Sequence, residues 1–379
     1  MKILMYSCEG CRKLKLPKQI IDNLLVKKIV QTSYRYELVD PIVAREKLDS
    51  FWECEKRIPD EKSVLAVEPN YDLQIIIPVY NAENEIEQCV DSILQQQGNY
   101  TYKVILIDDG SRDGSLAKIK QYEQYPNFEI ATQENRGVSA TRNAGLKKID
   151  AKYLYFVDAD DYLPPNAIEV LLDRAYAEDL DIVQGSYFAF ENDKPKRAIK
   201  QEVRVGDGLE ILNGFPWGKV FKASLFENIK FPTGLWFEDT VLSLYVYPGT
   251  KVATISEPTY NYRLNQGGIT VSSKGNPKVM DSFWVTQLLV EGLVQEKKSV
   301  IYDTFIYQLS HNLRRTHWLP LDQQIALFVL SRELLLKHFQ SPEIKLKDSN
   351  LASFEQAVIN NDFISYVING MFIKRGLSR

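Results

Sequence analysis

Three groups of acids carry the plainest chemical possibilities in this sequence: Asp108-Asp109, Asp158-Ala-Asp160 followed by Asp161, and Glu238-Asp239. Carboxylates gathered in one place repel one another and lose water on partial burial. Folding alone gives no reason for such a gathering, but a bound cation does. Hard divalent ions such as manganese or magnesium take oxygen ligands, a few carboxylates being completed by phosphate oxygens and water. Glu238-Asp239 also fits a helix start, where acids favour the first turn. Cys8-Glu-Gly-Cys11 has a spacing that suits zinc or redox chemistry. A structural zinc needs four ligands, yet no second pair follows and His311, His317 and His338 lie far along the chain. Cys8 and Cys11 are therefore read as reduced cysteines without a role.

The elements that must position these acids follow from the hydrophobic pattern. Short apolar runs at 73–79, 104–107, 128–130 and 153–157 read as buried strands. Helices are expected between them at 82–97, 115–122 and 137–149, with 167–177 and a strand at 181–183 continuing the alternation. Such alternation implies a mostly parallel sheet covered on both faces, which binds ligands beyond the carboxyl ends of its strands. Asp108 and Asp109 end the second strand, and Asp158 to Asp161 end the fourth. Asp161 fits a helix N-cap before Pro164, and Ser111 a cap for the helix that follows it. Farther on, strands are expected at 186–190, 198–205, 217–221 and 251–255, with a polar hairpin over 191–197. Helices are expected at 16–30, 41–51 and 241–247, and from 276 onward at 279–294, 301–313, 321–339 and 354–372.

Composition narrows the function classes. Net charge is −4 over 379 residues, which speaks against general nucleic-acid binding. No stretch reaches the roughly 18–20 apolar residues of a membrane span, and no signal peptide is visible, so a cytoplasmic location is expected. Phe363 to Ile373, followed by Lys374, Arg375 and Arg379, is apolar with a basic tip. It could rest on the inner face of an anionic membrane, near a lipid-linked acceptor; the alternative is packing on neighbouring helices or on a second subunit of a homodimer.

Four motifs stand in order: Ile77-Pro-Val-Tyr-Asn81, Ile107-Asp-Asp-Gly-Ser-Arg-Asp-Gly114, Asn135-Arg-Gly-Val-Ser-Ala-Thr-Arg-Asn-Ala-Gly145 and Phe156-Val-Asp-Ala-Asp-Asp161. With these, residues 73–185 resemble the nucleotide-binding half of the glycosyltransferase family 2 enzymes, and the likeness runs more loosely to about residue 271. The fold implied is α/β, a GT-A (Rossmann-like) mostly parallel sheet flanked by helices. A mostly helical N-terminal extension covers 1–70. The transferase domain covers 71–275, with a nucleotide-binding half at 71–185 and an acceptor half at 186–275. A helical C-terminal region covers 276–379.

The resemblance implies an inverting, metal-dependent transferase that moves a sugar from a UDP-sugar to a glycan, lipid-linked saccharide or glycoprotein. Asp160 would hold Mn2+ or Mg2+, with Asp158 on the ribose or the metal's water shell. Pro78, Tyr80 and Glu83 would surround the base, and Asp109 would accept the uracil N–H. Arg142 would meet the donor phosphates or pair with an aspartate, and Arg263, in a loop closed by Gly267 and Gly268, would meet phosphate. Asp239 would take the acceptor proton, Glu238 would bind sugar or the acceptor, and Trp217, Lys219 and Trp236 would line the acceptor side, although large aromatics such as these two tryptophans are more often core. No QxxRW motif accompanies these residues, so addition of one or a few sugars is expected rather than processive synthesis. A sugar nucleotidylyltransferase would carry a glycine-rich loop where Tyr80-Asn-Ala-Glu83 stands. A non-catalytic glycan- or nucleotide-binding partner could lose either acid pair, and this chain keeps both.

Overall fold

The computed structural model describes residues 37–52, 58–59, 62–191, 194–265, 275–292, 300–339, 346 and 349–373. The expected helix at 16–30, Cys8, Cys11, Cys54, Gly267, Gly268 and the basic tip at 374–379 lie outside them. Two compact units emerge. One comprises Lys56–Gly234 and Glu238–Gly268; the other gathers Met1–Glu55, Leu235–Phe237 and Ile269–Arg375.

Pro41–Phe51 forms α1, whose Asp40 carboxylate caps the Ile42 N–H at 2.8 Å. The sheet unit then runs β1 (Val64–Leu65), β2 (Tyr71–Val79), α2 (Ile86–Leu94), β3 (Tyr102–Asp108), α3 (Ser115–Lys120), β4 (Phe128–Thr132), α4 (Val138–Gly145), β5 (Lys148–Ile149), β6 (Ala151–Phe156) and α5 (Ala167–Ala177). It continues with β7 (Ile182–Glu191), β8 (Lys194–Ile199), β9 (Arg204–Asp207), the single turn α6 (Gly208–Ile211), β10 (Lys219–Lys222), a π-turn at Leu242–Val246 and β11 (Lys251–Arg263). Among the described residues the main sheet has nine strands, in the order β4-β3-β2-β6-β10-β7-β11-β9, with β8 on β7.

The first four strands are parallel, and their apolar runs explain why. Leu73, Ile75, Ile76 and Ile77 of β2 are all buried, so both faces of the strand are covered. Beyond β6 the sheet is mixed: β10 is antiparallel to β6 and β7, while β11 is parallel to β7. α4 lies hard against β2, because a Cβ on Gly145 would stand 2.5 Å from Ile76 Cγ2. The helix ends at Gly145, with Leu146 as its C-cap. Lys148–Ile149, expected in the helix, instead pairs with β1. The helix expected at 241–247 is the π-turn, a form frequent at functional sites. Tyr260–Arg263, expected as loop, is strand: it continues β11 past two register shifts near Pro258 and pairs with Tyr187–Phe190.

The helical unit contains α1, α7 (Asp281–Glu291), α8 (Tyr302–Thr316), α9 (Leu321–His338), α10 (Ser349–Ile359) and α11 (Phe363–Phe372). α1 is tied to α9 by Lys47–Asp322 at 3.2 Å and to α7 by Arg45 donating to Gln287 at 2.8 Å. Phe363, Ile364, Tyr366 and Ile368 of α11 are buried among its neighbours. The apolar face expected to meet a membrane is thus covered within the unit itself. Among the described residues no helix is long and apolar enough to cross a membrane.

Candidate active site

The ends of β2 and β3 are knitted together by side chains. Asn81 sits at φ +48, its N–H donating to Ser111 Oγ at 3.0 Å and its Oδ1 accepting from Arg112 N at 2.8 Å. Glu83 Oε2 accepts the Gly114 N–H at 2.7 Å, so this acid ties the two loops together. Tyr80 stands 47% exposed on the rim with Pro78 half-buried beside it, leaving the ring a free face. Asp108 holds the Ser111 N–H at 3.2 Å, the loop-holding role its position suggests. Ser111 is therefore a loop tie and not a helix cap; α3 begins at Ser115, whose N–H goes to Asp113 at 3.0 Å. Asp109 is buried and accepts from Gln133 Nε2 at 2.7 Å and from the N–H groups of Arg136 and Gly137 at 2.9 and 2.8 Å. An ionised carboxylate offers about four acceptor positions, so one remains for a ligand.

Asp158 and Asp160 follow β6. The Asp158 N–H donates to the hydroxyl of the buried Tyr260 at 3.0 Å. The Asp160 carboxyl is pushed up to about 6, first by burial and then by the charge of Asp158. Asp161 is held well above the usual carboxylate range, by burial and then by Asp160 and Asp158. It is not a helix N-cap: its Oδ1 accepts the Arg263 N–H at 2.6 Å, pinning β11 beside the acids, and α5 starts after Asn166. The Arg263 guanidinium donates to the Asp160 carbonyl at 2.8 Å and to Gln88 at 2.6 Å, and lies 4.6 Å from the Phe190 ring centre.

The acids after β6 and the Glu238–Asp239 pair meet at one residue. Arg142, in α4, is 4% exposed. Its Nη2 donates to Asp158 at 2.9 Å and its Nη1 to Glu238 at 2.7 Å. The pairing with an aspartate that the sequence allowed is present, with Glu238 as an unforeseen second partner. Glu238 is buried and Asp239 half-buried. Phe237 just before them has φ +64, a left-handed conformation uncommon for a bulky residue, and Asp239 O accepts the N–H of Leu242 at the head of the π-turn, at 2.9 Å.

Residues 74–236 match the family described as Glycosyl transferase family 2. A cholesterol galactosyltransferase of Borreliella burgdorferi is 35% identical over 267 residues, covering 63% of this chain and 73% of that protein. The chain belongs to glycosyltransferase family 2. Glycosyltransferase GlyA of Streptococcus pneumoniae is 31% identical over 221 residues, which cover 52% of this chain but 31% of GlyA. The chain thus spans about a third of that relative. The crystal structure of S. aureus TarS 1–349 in complex with UDP-GlcNAc superposes with a TM-score of 0.64 over 79% of this chain and 90% of that 1–349 chain, at 19% identity, a likeness of fold.

Within this family 2 transferase, Trp217 and Lys219, two of the residues expected on the acceptor side, are buried. Trp217 is 4% exposed, stacked on Phe215, Tyr260 and Tyr262 at 4.6, 4.7 and 5.0 Å, with Tyr187 edge-on at 4.9 Å. It offers a sugar no face and instead backs Tyr260, which holds Asp158. Lys219 is fully buried; its ammonium donates to Asn213 O and Oδ1 at 2.9 and 2.7 Å and to Tyr247 at 3.1 Å. It fastens the chain before β10 to the end of the π-turn. Trp236 belongs to the helical unit, where its N–H donates to Asp281 at 2.9 Å and Lys278 Nζ lies 5.6 Å from its ring centre. Asn143 and Tyr260 were missed as site residues. The available signal was a long polar pair, Arg142-Asn143, in a helix otherwise made of small residues pressed on the sheet.

Proposed function

We propose that this family 2 transferase is an inverting enzyme that uses a UDP-sugar and a divalent metal, and that its acceptor is a hydroxyl of a glycan or lipid-linked saccharide. The observation that carries the reading is the meeting of Asp158 and Glu238 on Arg142, which sets the acids after β6 beside the Glu238–Asp239 turn. The TarS complexes, which hold UDP-GlcNAc and UDP, support the choice of donor.

Asp160 and Asp158 are the residues to hold the metal. Two nearby carboxylates, one with its pKa raised by burial and then by the charge of the other, fit a hard dication. Among the described residues no group of three ligating side chains converges, which suits an ion completed by diphosphate oxygens and water. When bound, Mn2+ or Mg2+ neutralises the charge that builds on the leaving diphosphate. The remaining tasks fall to this chain's own groups. Tyr80 offers a ring to the base, stacking of this kind being worth about 1–3 kcal/mol. Asp109 presents its remaining acceptor position to the uracil N–H. Arg263 stands beside Asp160 for the phosphates. Asp239 takes the proton from the acceptor hydroxyl as the new bond forms opposite the leaving UDP.

The test is a panel of UDP-sugars assayed for manganese-dependent UDP formation. Asp239→Asn is expected to lower turnover about 100-fold or more, with UDP affinity changed by no more than about two-fold. Wild-type turnover in that variant removes Asp239 from the mechanism. UDP release that persists undiminished in chelator removes the metal.

A further inference from the structure

We propose that Arg142 and Asn143 of α4 form a clamp that positions the Glu238–Asp239 turn, Arg142 by gripping the Glu238 carboxylate and Asn143 by latching the backbone of Phe231. The Asn143 amide makes a two-point contact: Nδ2 donates to Phe231 O at 2.8 Å and Oδ1 accepts from Phe231 N at 2.9 Å. The Arg142 guanidinium lies 5.5 Å from the centre of the Phe231 ring and reaches Glu238 at 2.7 Å. Two adjacent helix residues therefore hold both ends of the segment from Phe231 to Glu238.

The clamp has a rigid mount. α4 cannot retreat toward the sheet, because Gly145 already meets Ile76, and it is held at its other end by the loop bound to Asp109. Asn143, Phe231, Arg142 and Glu238 are all buried, so none of these contacts is diluted by water. The second arm of Arg142, on Asp158 at 2.9 Å, sets the turn's position relative to the donor-side acids. Glu238 is engaged as the partner of Arg142, and Asp239, the next residue, is the acid that the proposed reaction uses for the acceptor proton. Arg142 and Asn143 are thus positioning residues. Misplacement of a reacting group by about 1 Å can cost 100-fold in rate, so a fixed turn has a kinetic consequence.

The clamp rests on the reading of Asp239 as base, and its test separates the two. The full chain is assayed for UDP release from UDP-GlcNAc with manganese and with water as acceptor. Asn143→Ala touches neither acid; it is expected to lower kcat about ten-fold or more, while KM for UDP-GlcNAc and Kd for UDP with manganese stay within about two-fold. Arg142→Lys keeps the charge without the fork, and should fall between wild type and Arg142→Gln. Arg142→Gln and Glu238→Gln should be non-additive, the double variant being no slower than the slower single. A purely structural role would lower Tm and the folded fraction and leave kcat per folded molecule unchanged; that pattern overturns the clamp. Should Arg142→Gln fail to fold, Asn143→Ala and Asn143→Ser decide alone through the split between kcat and KM. Absence of UDP release from the wild-type chain with every UDP-sugar would sink the donor reading; UDP release with kcat unmoved in Asn143→Ala sinks only the clamp.

Discussion

Asp160 shows how a site residue works against the stability of its own fold. Burial and the neighbouring Asp158 raise its carboxyl to about 6, so at neutral pH the metal-free protein holds a charge it would rather not hold. Replacing it with the neutral isostere should relieve that repulsion. Asp160→Asn is expected to raise the Tm of the metal-free protein by about 2–4 °C, for a gain of about 1 kcal/mol. The same change should abolish the further rise in Tm that manganese and UDP give. A scan with and without both ligands checks it, and a fall in the metal-free Tm would show that the Asp160 charge is already compensated. Trp217 teaches the converse. A tryptophan beside glycine and lysine reads as a sugar platform or, more often, as core, because the indole suits both. Only the rings of Phe215, Tyr260 and Tyr262 against it make it core.

At the scale of elements, β2, β3, β4 and β6 were legible because each is a short apolar run bounded by turn residues. α5 and α1 match their sequence expectations, 167–177 and 41–51, since each is bounded by a cap, a turn or a proline. The strand assignments after residue 185 drifted, because β8 and β9 are exposed and carry no buried stripe. Packing between elements also makes one pH dependence. Asp72, at the start of β2, accepts from Tyr176 of α5 at 2.7 Å and from Thr101 N and Oγ1 at 2.9 Å each. Burial raises its pKa, but these hydrogen bonds and Lys152 outweigh burial and hold it below its usual 3.8. A folded pKa below the unfolded one gives stability that is present above the unfolded value and is lost as pH falls through the folded one. Tm should therefore drop as pH falls below about 4, and Asp72→Asn should flatten that drop. An equally steep drop in the variant would assign it to other acids.

For the whole molecule, the division into units does not follow blocks of sequence. α1 joins the C-terminal helices, and Leu235–Phe237 belongs with them although Gly234 and Glu238 on either side belong to the sheet unit. Within the helical unit, α11 fits so closely that a Cβ on Gly370 would stand 2.6 Å from both Leu313 Cδ2 and Phe354 Cε2. Gly370→Leu should overpack this contact and destabilise the protein by about 1–3 kcal/mol. Calorimetry checks it, and an unchanged Tm would mean that α11 can shift aside at no cost.

The sequence by itself determined the family, the alternating strands and helices, and the rim on which the acids sit. Those depend on periodicity and on motifs of adjacent residues, which survive in one dimension. Tertiary structure alone decided which partner each polar group takes. Arg142 meets Glu238 across 96 positions of chain, and Asn143 meets Phe231 across 88. Buried charges and amides must be satisfied where they stand, and where they stand is set by the packing of α4 on β2, which no local pattern encodes.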